Sequence, residues 1–109
     1  MPEYLQVVTT TETQDQARAI AREAVQSRVA ACAQVLGPLI STFWWQGAVE
    51  EAAEYLCVMK TRADAFEALE RTIRRLHPYD VPEILSFSIH SGATDYLAWL
   101  GSEVRPREP

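Results

Sequence analysis

Residues 31–61 read ACAQVLGPLISTFWWQGAVEEAAEYLCVMKT, and this stretch decides the fold. Its first half is rich in β-branched and aromatic residues, interrupted by Gly37-Pro38 and closed by Gln46-Gly47, and its second half is anchored by the apolar run Tyr55–Met59. Such runs bounded by Gly and Pro mark strands, so the stretch reads as one long β-hairpin. Strand side chains alternate, which sends Phe43 and Trp45 to one face and Trp44 to the other. At ~3.3 Å per residue the first arm reaches at most ~50 Å. A compact chain of ~100 residues is a sphere only about 34 Å across. The tip therefore overhangs, and tryptophans on both of its faces point to a partner surface.

Working outward from the hairpin, Tyr4–Thr9 alternates as a first strand and Thr10 and Thr11 mark a loop. Thr13 with Gln16 is a capping-box pattern that opens a helix over about residues 14–29, its stripe made by Ala17, Ile20, Ala21, Ala24, Val25 and Arg28. Beyond the hairpin, Thr61 with Asp64 predicts a second helix start, followed by Phe66, Leu69, Ile73 and Leu76 at helical spacing. Arg71, Arg74 and Arg75 suit the negative end of that helix. His77–Glu83 contains Pro78 and Pro82 and is a rigid loop. Ile84–His90 is a last strand with Leu85, Phe87 and Ile89 on its buried side. A short helix over 93–100 places Tyr96, Trp99 and Leu100 together. One domain fills residues 1–109, fraying in the tail from Gly101, with 103–109 loose. The order β, α, hairpin, α, β is the split β-α-β, ferredoxin-like pattern. Two helices cover one face of a four-stranded antiparallel sheet, and the other face is left for another subunit.

The bulk properties narrow the function classes. The chain has 109 residues, 48% of them hydrophobic, enough for one core. Its net charge is −5 and its only lysine is Lys60, so nothing resembles the basic stripe that neutralises a nucleic-acid backbone. No apolar run approaches the ~20 residues that span a bilayer, and Met1–Tyr4 lacks the basic and apolar regions of a signal peptide. These features predict a cytoplasmic protein with no membrane partner. A tight turn at Gln46-Gly47 sets Cys32 opposite Thr61, about four residues out of register with Cys57. That is roughly 13 Å along the ladder, beyond the ~7 Å Cα limit for a disulfide, so both thiols are expected to be reduced.

The residues able to carry chemistry are few. His77, Tyr79 and Glu83 stand in the proline loop, Lys60 and Glu54 on the return strand, and His90 at the end of a strand, where a histidine is usually incidental. Lys60 must find water or a carboxylate, and Glu54 lies six residues before it on the same strand face. Pro78 holds His77 extended and so fixes its ring direction. Imidazole, phenol and carboxylate together bind a cation or serve as acid and base, while mutual hydrogen bonding that merely closes the loop is an equally good account. Lysine repels a cation and favours an anion, so the set suits either ligand.

Taken together, Ala30-Ala31-Cys32, Ser41 through Phe43 to Trp45 and Gly47, Glu54, Lys60-Thr61, His77-Pro78-Tyr79, Pro82-Glu83-Ile84 and Tyr96-Leu97 with Trp99 resemble the CutA family of divalent-cation tolerance proteins. The resemblance implies a ferredoxin-like domain in a tight homotrimer, with sheets joined edge to edge and the hairpin reaching onto a neighbour. It also implies clefts between subunits lined by the shared polar residues, as in the PII-type signalling trimers, and a link to copper and other divalent metals without enzymatic activity. Trp45, Glu54, Lys60, His77, Tyr79 and Glu83 are then the cleft candidates and His77 the metal candidate, with no cofactor required and copper at most weakly bound. The chain departs from the family where some members carry a cysteine after the first strand and paired histidines before Pro-Tyr; here stand Thr9 and Leu76-His77. Losing a thiolate and an imidazole removes the donors that favour copper. Phe43 and Gln46 replace a usual tyrosine and a common glutamate. The competing expectation is a structural or adaptor trimer, or a PII-like signalling trimer, with no metal role. An acylphosphatase-type enzyme ranks last, because Thr9–Thr13 lacks both the arginine and the glycine of a phosphate loop.

Overall fold

A computed structural model describes residues 3–106. The elements run β1 (Tyr4–Thr11), α1 (Gln14–Gln26), β2 (Cys32–Trp45), β3 (Ala48–Arg62), a 3-10 turn (Ala63–Ala65), α2 (Phe66–Leu76), β4 (Leu85–Ser88) and α3 (Thr94–Glu103). The four strands form one antiparallel sheet in the order β2-β3-β1-β4, the ferredoxin-like arrangement. Helices α1 and α2 lie on one face. Ala17, Ile20 and Ala24 of α1 and Leu69 and Ile73 of α2 close over Val7, Cys57 and Met59 of the sheet. The small alanines let α1 approach the strands closely, and the capping box starts it: Thr13 Oγ1 accepts from Gln16 N–H while Gln16 Oε1 accepts from Thr13 N–H.

The hairpin is as long as its composition demands. Gln46 (φ 50°) and Gly47 (φ 82°) both take left-handed backbone, the two-residue turn that matches strand twist. From Trp45↔Ala48 to Leu39↔Glu54 the ladder is regular. Then Gly37 and Pro38 together oppose Tyr55, a β-bulge. The bulge shifts the base of the hairpin by one, so Cys32 faces Lys60 rather than Thr61 and Cys57 faces Val35. The cysteines are free, three residues out of register and on opposite faces. The long axis of the molecule is 44 Å.

Four expectations are corrected. Thr10 and Thr11 continue β1, pairing with Leu56 and Tyr55, because β3 offers a free edge and Thr is a good strand residue. Thr61 is a buried strand residue whose hydroxyl donates to Val29 O (2.7 Å), so it caps nothing, and α2 begins after the 3-10 turn without a side-chain cap. Strand β4 is shorter, and it places Leu85 opposite Val8 and Phe87 opposite Gln6, both about half exposed on the helix-free face. Alternation shows which residues share a face; it does not say which face a helix covers. The segment after Gly101 is docked rather than frayed. Helix α3 runs to Glu103, Leu100 and Val104 pack with Ala31 and Ala65, and Arg105 N–H donates to Arg28 O (2.8 Å). The expectation for 107–109 falls outside the described residues.

Candidate functional site

The proline loop is tied to the sheet by two side chains. His77 ends α2, its N–H donating to Ile73 O (2.8 Å), and it takes extended backbone (ψ 133°) ahead of Pro78. Its Nδ1 accepts from Tyr79 N–H (3.2 Å), which leaves the ring proton on Nε2 to be donated to Thr10 O (2.8 Å). The Tyr79 ring lies 4.7 Å from the imidazole, and its hydroxyl donates to Glu54 Oε2 (2.9 Å). Glu54 sits on β3 just beyond the end of β1, whose last pair is Thr11↔Tyr55, and it is buried. Partial burial, then the hydrogen bond to Glu54 and the negative charges of Glu54 and Glu12, push the Tyr79 phenol up to about 12. The phenol is therefore a donor throughout the neutral range.

The other candidates separate from this trio. Lys60 Nζ donates to Gln34 Oε1 (2.8 Å), so the expected pairing with Glu54 is not formed. The bulge explains it: Cys32 faces Lys60, which makes Gln34 a diagonal neighbour on the same face. Glu83 is exposed and joins none of these bonds. Trp45, also exposed, lies six residues from Leu39, the partner of Glu54, and hence about 20 Å along the strand. His90 is exposed at the end of the last strand region. Thus His77, Tyr79 and Glu54 come together, while Lys60, Glu83 and Trp45 do not join them within one chain. Thr10 and Gln34 were missed. A main-chain carbonyl leaves no mark in a sequence, whereas Gln34 was readable had the bulge been placed.

The residues do not form a metal centre within the chain. Among the described residues no three His, Cys, Asp or Glu side chains gather as a ligand group. Both ring nitrogens of His77 are engaged, so coordination would require giving up the bond from Tyr79 N–H or the bond to Thr10 O. Thr9, opposite Cys57, points beneath the helices with its hydroxyl buried and unpartnered, and burial pushes the Cys57 thiol up to about 12. A protonated thiol and a hydroxyl are poor ligands for copper.

The sheet face that carries Glu54 exposes large apolar side chains along its length. Leu36, Phe43, Trp45, Leu85 and Phe87 are all exposed, and strand pairing places them on the face that carries Glu54 and Lys60. Five large apolar side chains exposed on one sheet face are more than scattered surface residues, and they mark that face as a partner surface. Trp44 and Val49 pair across the opposite side of the tip and are exposed as well.

Comparison with known proteins gives a consistent picture. The family model described as CutA1 divalent ion tolerance protein matches residues 5–103. The divalent-cation tolerance protein CutA of Thermus thermophilus is 42% identical over 94 residues, covering 86% of this chain and 91% of the relative. The CutA homolog of Xenopus laevis is 40% identical over 88 residues, 81% of this chain but only 58% of the relative's length. The crystal structure of CutA from Xylella fastidiosa superposes with a TM-score of 0.91 at 32% identity, covering 94% of this chain and 98% of that one. Fold, match length and identity agree: the chain belongs to the CutA1 divalent ion tolerance family.

Proposed function

We propose that this protein serves divalent-cation tolerance as a cytoplasmic homotrimer without enzymatic activity, and that it binds its ligand where the helix-free sheet face of one subunit meets the hairpin of the next. The observation that carries the reading is the exposed apolar face around a prearranged polar trio. Leu36 on β2, beside the strand that holds Glu54 and Lys60, and Leu85 and Phe87 on β4, beyond β1, are exposed on the same sheet face, and a second subunit laid on it would turn that open face into a cleft. In this reading His77 positions the loop and Tyr79 holds Glu54, because their hydrogen bonds are already spent on the fold. The groups left to a ligand are Lys60, with one hydrogen bond to Gln34, and the exposed carboxylate of Glu83. A divalent ion such as copper is then held weakly, mainly through carboxylate.

A second reading is favoured by Lys60 itself. It is the chain's only lysine, it lies on the open face, and it suits a small anionic metabolite bound in the manner of a PII-like signalling trimer. Light scattering on a sizing column tests the assembly, and a stable species at the one-chain mass of 12.3 kDa overturns it. Calorimetric titration with copper, zinc, nucleotides and small carboxylates tests the cleft. Lys60→Ala should abolish anion binding and spare or strengthen cation binding. His77→Ala should chiefly lower stability. Glu83→Gln should weaken cation binding. Absence of binding for every ligand, or anion binding that survives Lys60→Ala together with cation binding that survives Glu83→Gln, overturns the assignment.

A further inference from the structure

On the helix layer, across the sheet from the cleft, a groove of about 730 Å³ opens between the C-terminal end of α1 and the middle of α2. Four arginines line it: Arg28, Arg71, Arg75 and Arg105. They come from three separate parts of the chain. Arg71 and Arg75 are one helical turn apart on α2, so they share a face. Arg28 follows α1 in left-handed backbone (φ 67°), and Arg105 is brought alongside by its N–H donating to Arg28 O. The one carboxylate in the lining is Glu23. It approaches Arg75 at 3.6 Å, with both side chains at least 40% exposed, and such a pair contributes at most about 1 kcal/mol. Arg28 also pairs with Glu103 (2.7 Å), so two of the four guanidiniums have a carboxylate partner and the groove keeps a net positive charge from the other two, in a chain whose net charge is −5.

We propose that this groove is a binding site for a compact, multiply charged phosphate group, a diphosphate or a phosphate ester, distinct from the inter-subunit cleft and independent of the reading given for it. Among the described residues Arg71 and Arg105 make no ion pair, and with the loosely paired Arg75 they supply more charge than a monocarboxylate requires, each offering the planar fork that matches phosphate oxygens. The volume is within the range of small-ligand sites. Val29 and Ala68 are the only apolar side chains in the lining, and no aromatic ring is present to stack a base or sugar, so recognition falls on the anion itself.

Arginines at this place also complement the negative end of α1, which ends at Gln26, and that competing account predicts loss of helix stability without any ligand. The experiment separates the two on the intact protein at low ionic strength, with pyrophosphate as the probe, followed by calorimetry and by the melting midpoint. Binding is expected in the native chain. It should weaken tenfold or more in the double variant Arg71→Gln, Arg75→Gln, and tighten severalfold in Glu23→Gln, where the competing carboxylate is gone. Gln keeps helix propensity, so the double variant should fold, and its unliganded melting curve checks this. Both comparisons are repeated in a Lys60→Ala background, which removes the cleft cation and any pyrophosphate held there, and the tenfold loss in the double variant should persist in it. No binding of pyrophosphate by the native chain, or equal binding by the double variant, overturns the proposal. A polyglutamate peptide that binds more tightly than pyrophosphate also overturns it, by assigning the groove to an acidic protein partner.

Discussion

Tyr79 and Glu54 form the one side-chain bond that joins the proline loop to the hairpin, and its chemistry is open to a direct test. The phenol is raised from 10 to about 12 in the folded protein. Below pH 10 both folded and unfolded chains hold the proton, so the stabilisation is complete there. Between pH 10 and 12 the unfolded chain releases it first, and stability must fall as pH rises. The thiol of Cys57, raised from 9 to about 12 by burial, adds a fall of the same sign that begins at pH 9. Tyr79→Phe should therefore flatten the decline between pH 10 and 12 and leave the Cys57 contribution in place, as followed by denaturant midpoints across that range. At neutral pH the same variant leaves a buried Glu54 oxygen unpaired, which costs about 1–3 kcal/mol. An unchanged alkaline profile would show that the phenol does not hold its proton as described.

At the level of elements, the hairpin was legible because its composition is extreme, and α1 because its capping box and alanine stripe agree with each other. The bulge at Gly37-Pro38 was visible only as a break, since Gly and Pro announce a departure from the ladder without saying how many residues it absorbs. From that single uncertainty came the wrong partner for Cys32 and the missed bond between Lys60 and Gln34. The face of β4 was misjudged for a different reason: Leu85 and Phe87 are apolar yet lie half exposed on the helix-free face rather than in the core. Gly37 is where the bulge is most sensitive. Its φ of 143° is one that residues with a side chain rarely adopt, and an added Cβ would stand 2.8 Å from the Tyr55 ring and 3.1 Å from Glu54 O. Gly37→Ala should cost about 2 kcal/mol and disturb Glu54 with it, measurable by urea unfolding.

For the whole molecule, the exposed aromatic tip should matter to assembly more than to the fold of one chain. Trp45 is 55% exposed. Covering the remaining ring surface in a trimer contributes roughly 2–3 kcal/mol per subunit. If the chain assembles as proposed, Trp45→Ala should therefore shift the trimer toward smaller species on dilution while far-ultraviolet circular dichroism stays native, and a variant as tightly assembled as the parent would remove the tip from the proposed interface. The bulge has a consequence at this scale too, because it is slack in the chain: two residues do the work of one, so length can change there without any side chain trading sides. Deleting Pro38 leaves every pair from Cys32↔Lys60 to Trp45↔Ala48 as it is. Deleting Ser41 instead moves Leu39 and Ile40 to opposite sides and forces Pro38, which has no N–H, into the ladder opposite Glu54. The first deletion should keep a urea midpoint near that of the parent and the second should lose most of it, so the aim of the tip can be altered while the chemistry of its two sides is preserved.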